Sequence, residues 1–177
     1  MQFIPQDIIL DIFLFFIPFY FVFLFDRTTN LKSVFSSLGI KAIKPKDLIK
    51  STLIIFIFLF FLSNTLSFFS VLFKVSDLDV VGEEILSYSL PVVIYFFVIR
   101  VFLEEWFFRG FLVPKVGIIF SSVFFALGHL AYASVIEVLG AFVMGVFLAS
   151  AYKKTGNLLP NFFAHAFYNF AIYFLLF

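Results

Sequence analysis

The chain has 177 residues, 63% hydrophobic and 23% aromatic with only 13% charged, and its mean hydropathy is +1.14. Soluble domains hold roughly 45–50% apolar and about 25% charged residues, so this composition excludes a soluble globular fold and defines an integral membrane protein. The net charge of +1 without a basic tract gives no footing for nucleic acid, and the lack of cysteine removes disulfide and thiolate chemistry.

In chain order, six stretches approach the roughly 20 apolar residues that a helix needs to cross hydrocarbon. The first, 8–25, has Asp7 and Asp11 where a signal peptide would carry lysines, and no small-residue cleavage site, so it is expected to remain as a membrane span. After a polar connection at 26–50 comes 51–73. The third, 92–113, is bracketed by Pro91 and Pro114, which suits a helix starting after one proline and broken at the next. The last three are 117–136, a short 138–152 and 158–177. The sequence thus predicts an all-α, polytopic membrane bundle of about six helices, forming a single domain over 1–177 with no repeat.

The connections alternate in charge. Arg27, Lys32, Lys41, Lys44, Lys46 and Lys50 lie between the first two spans, Lys115 follows the third, and Lys153 and Lys154 follow the fifth. The intervening connections hold Lys74 against Asp77, Asp79, Glu83 and Glu84, and then Glu137. Positive-inside counting places both termini outside, with the first, third and fifth loops cytoplasmic. The location is a multi-pass integral membrane, the plasma membrane if the source is prokaryotic.

Polar chemistry concentrates in three spans. Glu104, Glu105 and Arg109 fall inside the third, where a buried ionised group costs about 2.5–3.5 kcal/mol on insertion scales and usually serves a function. The chain's 2 histidines, His129 and His165, are both in spans. Residues four apart share a helix face, so His165 sits beside Asn169, Glu105 beside Arg109, and Arg100 beside Glu104. At about 1.5 Å per residue, Glu104 lies roughly 15 Å from the cytoplasmic end of its helix, His129 roughly 18 Å, and His165 and Asn169 roughly 12 and 18 Å. Polar groups from three helices therefore meet at one level. Asp11, Asn64 and Arg100 are further buried polar candidates that nothing in the sequence ties to that level. Trp106 reads as packing, and Ala141, Gly145 and Ala149 as a close helix–helix contact.

The order Glu-Glu-x-x-x-Arg, Phe-x-x-x-His and His-x-x-x-Asn resembles the CPBP family of intramembrane proteases, comprising CAAX prenyl protease 2 and bacteriocin-processing (Abi-like) members. Phe108-Arg109-Gly110-Phe111-Leu112, Ala126-Leu127-Gly128-His129-Leu130 and Thr155-Gly156-Asn157-Leu158 are similar too, so the likeness covers about 100–170 within a motif-bearing core at 92–177. The resemblance implies an endopeptidase in which Glu104 activates water with the help of His129. His165 and Asn169 would stabilise the oxyanion, and Glu105 and Arg109 would be supports. It also implies a peptide or lipidated protein substrate, reached from the cytoplasmic side or through lipid.

The chemistry is coherent on its own terms: amide hydrolysis needs a base for water and donors aimed at the oxyanion. A metal-free site is favoured, because the histidines lie on separate helices without a second ligand four residues away. A zinc site from Glu104, His129 and His165 remains the alternative. Outside hydrolysis, the same residues could belong to a membrane immunity or partner-binding protein, or to a transporter with a proton-relay carboxylate.

Overall fold

A computed structural model describes residues 5–25, 30–75 and 77–175; among them the regular structure is helical, without strands. The long helices are α1 (Pro5–Phe25), α3 (Pro45–Leu72), α7 (Val113–Gly128), α8 (Val135–Thr155) and α9 (Leu158–Leu175). Short helices α2 (Leu31–Ser37) and α4 (Leu78–Ser87) fill connections. The segment carrying the paired glutamates is a continuous rod built from α5 (Leu90–Tyr95), α6 (Val101–Glu104) and two π-helical pieces, Phe96–Arg100 and Glu105–Leu112.

Among the described residues four stretches are long and apolar enough to cross a bilayer: Asp7–Phe25, Pro45–Leu72, Leu90–Tyr132 and Val135–Thr155. The third covers 43 residues but does not run straight, because Gly117 at φ 82 and ψ 176 turns the chain back. Beyond the turn, Ser121 Oγ donates to the Phe108 carbonyl at 2.7 Å, and Phe125 stacks edge-on against Phe108 at 5.2 Å. The two limbs are therefore antiparallel neighbours. The expected break at Pro114 is thus displaced to Gly117. In the widened π ladder the Val113 N–H reaches back to the Phe108 carbonyl, and Pro114, which has no N–H to place, follows in the first turn of α7. Helix α9 carries Asn161, His165 and Asn169 and is not among the four apolar stretches, but it packs inside the bundle through Ala164 against Ile55, Leu59 and Leu148.

The other boundaries follow from local chemistry. Pro45 occupies the first turn of α3, where its missing N–H does no harm, so the helix starts before the predicted 51. Ser134 caps α8 by accepting from the Glu137 N–H at 3.0 Å, and Gly156 closes it at φ 63, so this span is longer than the 138–152 expected.

The 26–50 connection is not a free linker. Asn30 caps α2 through the Ser33 N–H, the Leu158 N–H donates to the Gly39 carbonyl at 2.8 Å, and Asn157 Nδ2 donates to the Lys41 carbonyl at 2.9 Å. Trp106, fully buried, sits between Phe15 of α1 and Phe35 of α2 and donates from Nε1 to the Phe15 carbonyl at 3.3 Å. The small-residue stripe of α8 is a close contact, as expected: Ala141, Gly145 and Ala149 are buried, and a Cβ on Gly145 would stand 3.2 Å from Ser122 and Phe125 of α7.

Candidate active site

Neighbouring residues on a helix point roughly 100° apart, so Glu104 and Glu105 cannot share a direction. Glu105 turns into the protein, where it is fully buried. Its Oε1 lies 3.1 Å from Arg109 Nη1 and accepts from His165 Nδ1 at 2.9 Å, and its Oε2 accepts from Asn161 Nδ2 at 3.4 Å. Arg109 is 1% exposed, with its guanidinium 4.1 Å above the Phe125 ring. Asn161 also donates to the Leu148 carbonyl at 2.7 Å. Glu105 and Arg109 therefore stand as the sequence placed them, in a buried ion pair that also grips a histidine.

Glu104 faces the other way, into a cavity of about 220 Å³ that it lines with His129, His165 and Asn169. The four residues singled out as catalytic are brought to one space from three helical segments. Among the described residues no hydrogen bond or ion pair engages the Glu104 carboxylate. His129 follows the last residue of α7, and its Nδ1 lies 2.8 Å from the Phe125 carbonyl. That carbonyl can only accept, so Nδ1 holds a proton. His165 donates Nδ1–H to Glu105.

Those hydrogen bonds would suit metal ligands, which commonly donate their other ring N–H to a carbonyl or carboxylate. Among the described residues no three His, Cys, Asp or Glu side chains gather as a group able to hold an ion.

Three features escaped the sequence reading. Glu137, taken only as a boundary between spans, lines the cavity from the first turn of α8. Its signal is the Ser134-x-x-Glu137 spacing, a helix-start pattern that brings the carboxylate onto the helix itself. Asn161 extends the His165, Asn169 stripe by one more turn, and that periodicity was legible. Arg100 does not pair with Glu104: it binds Asp7 at 3.2 Å and Asp11 while lining the cavity, and Tyr95 donates to Asp11 as well. Asp11 and Arg100 thus tie α1 to the cavity wall, a long-range contact that spacing cannot reveal. Asn64 stays apart, its Nδ2 returned to the Phe60 carbonyl one turn back.

The cavity runs from the mid-bundle level of Leu59, Leu148 and His165 to the end formed by α4, Tyr88, Tyr132 and Glu137. At that end Asp77 accepts from Ser134 Oγ at 2.7 Å and from the Val135 and Ile136 N–H groups. These hydrogen bonds, the Ser134 hydroxyl first, hold its carboxyl below the usual aspartate value.

Fold and site together define a polytopic helical membrane protein with an unpaired carboxylate, two histidines and an amide around an intramembrane cavity. Residues 86–171 match the family model described as type II CAAX prenyl endopeptidase Rce1-like, so this motif-bearing part of the chain is similar to that family of CAAX-type proteases. No match was found among curated proteins or among solved structures. The chain is thus an integral membrane protein, and the family it resembles over these residues is one of proteases.

Proposed function

We propose that this protein hydrolyses a peptide bond of a membrane-associated or lipidated peptide within the cavity, without a metal, using Glu104 as general base. The observation that carries this reading is the division of labour between adjacent glutamates: Glu105 is committed to Arg109, His165 and Asn161, whereas Glu104 faces the cavity. A water held between the Glu104 carboxylate and His129 Nε2 gives its proton to Glu104, and the hydroxide attacks the scissile carbonyl carbon. The oxyanion accepts from Asn169 Nδ2–H and from His165 Nε2–H. His165 is held in place for this by donating Nδ1–H to Glu105. When the intermediate collapses, the C–N bond breaks and Glu104 returns its proton to the leaving amine. In a water-poor cavity these donors act at low dielectric, where each is worth more than in solvent.

The test is cleavage of a quenched-fluorescence peptide panel by the detergent-purified protein, beside Glu104→Gln and with a chelator arm. Cleavage that is lost in Glu104→Gln and indifferent to chelation is the expected result. Full cleavage by Glu104→Gln would sink the assignment of the base. Loss on chelation restored by zinc would move the histidines into a metal site.

A further inference from the structure

We infer that the cavity is loaded from the extracytoplasmic face of the membrane, which makes an exported or outward-facing peptide segment the substrate class. Three observations converge on this.

The first is the direction of the cavity. From the level of Glu104 and His165 its walls continue only toward the end where α4, Tyr88 and Tyr132 lie, with Val81 and Ile85 of α4 facing it. The second is closure in the opposite direction. Beneath Glu105 the bundle is filled by Trp106, Arg109, Asn161, Leu158, Val34 and Leu38, each at most 1% exposed. None of these six residues lines the cavity.

The third is charge. The filled end carries Lys32, Lys41, Lys44 and Lys46, together with Lys115, Lys153 and Lys154, whereas the cavity end has Lys74 as its loop lysine among Asp77, Glu83 and Glu84. Lysine and arginine in short loops set topology, so the filled end is cytoplasmic and the open end is not. Of the cytoplasmic and lipid approaches expected from the sequence, this inference sets entry past α4 in place of the cytoplasmic one; Asp77 pins α4 to the start of α8. The substrate clause rests on the peptidase reading; the sidedness does not.

The chain contains no cysteine, so single cysteines report without background. Glu83→Cys on α4 and Lys154→Cys at the far end of α8 are both at exposed positions. A membrane-impermeant maleimide added to intact expressing cells is expected to label Glu83→Cys, and to label Lys154→Cys only after the membrane is opened. The reverse pattern overturns the inference. A second arm gives the cleavable peptide to sealed vesicles. Right-side-out vesicles are expected to cleave it, and inside-out vesicles only after detergent; cleavage by sealed inside-out vesicles alone refutes outward loading. Absence of cleavage in detergent counts against the peptidase reading, and the labelling result then still decides the orientation.

Discussion

The adjacent glutamates should separate cleanly under mutation. Removing Glu105 strands the Arg109 guanidinium, 1% exposed and 3.1 Å from the lost carboxylate, and also deprives His165 and Asn161 of their acceptor. Breaking a buried pair from one side costs about 3–5 kcal/mol, because it leaves an uncompensated charge. Glu105→Ala is expected to lose about that much in equilibrium unfolding by denaturing detergent in mixed micelles, with Arg109→Ala similar. The double variant Glu105→Met/Arg109→Met removes both charges at once and should be far more stable than the sum of the single losses, because the two residues are in contact. Glu104→Gln should unfold like wild type, since its carboxylate faces the cavity, yet lose at least about 10²-fold in cleavage as the base disappears. Equal stability losses at 104 and 105, or additive losses at 105 and 109, would refute the division of roles.

The remaining predictions address the oxyanion, the packing and the cap. Asn169→Ala should lower kcat by about 10²–10³-fold with little change in KM, as removal of one oxyanion donor does; an unchanged kcat would remove Asn169 from the mechanism. Gly110→Ala places a Cβ 2.5 Å from the Leu38 backbone carbonyl, and the overpacking should cost about 1–3 kcal/mol in the same unfolding assay. A wild-type unfolding midpoint would show that α2 yields freely. Asp77→Asn tests the pin at the start of α8. Its carboxyl is depressed below the ordinary 3.8, so its contribution is fully present above that value and fades as pH falls through the lower folded value. Wild type should be more thermally stable than Asp77→Asn at neutral pH, and the difference should vanish in strong acid; a pH-independent difference would assign the effect to something other than the charge.

Much of the cavity's polar lining was legible because its residues stand out against apolar sequence. Glu104, His129, His165 and Asn169 were identified from spacing and depth, and the structure lines one cavity with all four. The buried Glu105–Arg109 pair follows from one turn of helix. What was misread depended on contacts across the chain. Arg100 has Glu104 as its neighbour in sequence, but Asp7 and Asp11 of α1 lie within its reach. The break expected at Pro114 fell at Gly117, because a π ladder absorbs the missing N–H and only a glycine readily takes φ 82. Glu137 read as a loop charge until a cap made of Ser134 and Asp77 started α8 ahead of it.

By itself the sequence determined that this is a helical membrane protein with polar chemistry on three helices, because the cost of polar groups in hydrocarbon leaves few other arrangements. Tertiary structure alone decided which glutamate is free and which is spent on an arginine and a histidine. It also decided that the cavity extends from Glu104 toward Tyr88, Tyr132 and Glu137, away from the layer of Trp106, Leu158 and Val34. Spacing fixes the face a residue occupies on its own helix; what stands opposite that face is set by how the helices pack.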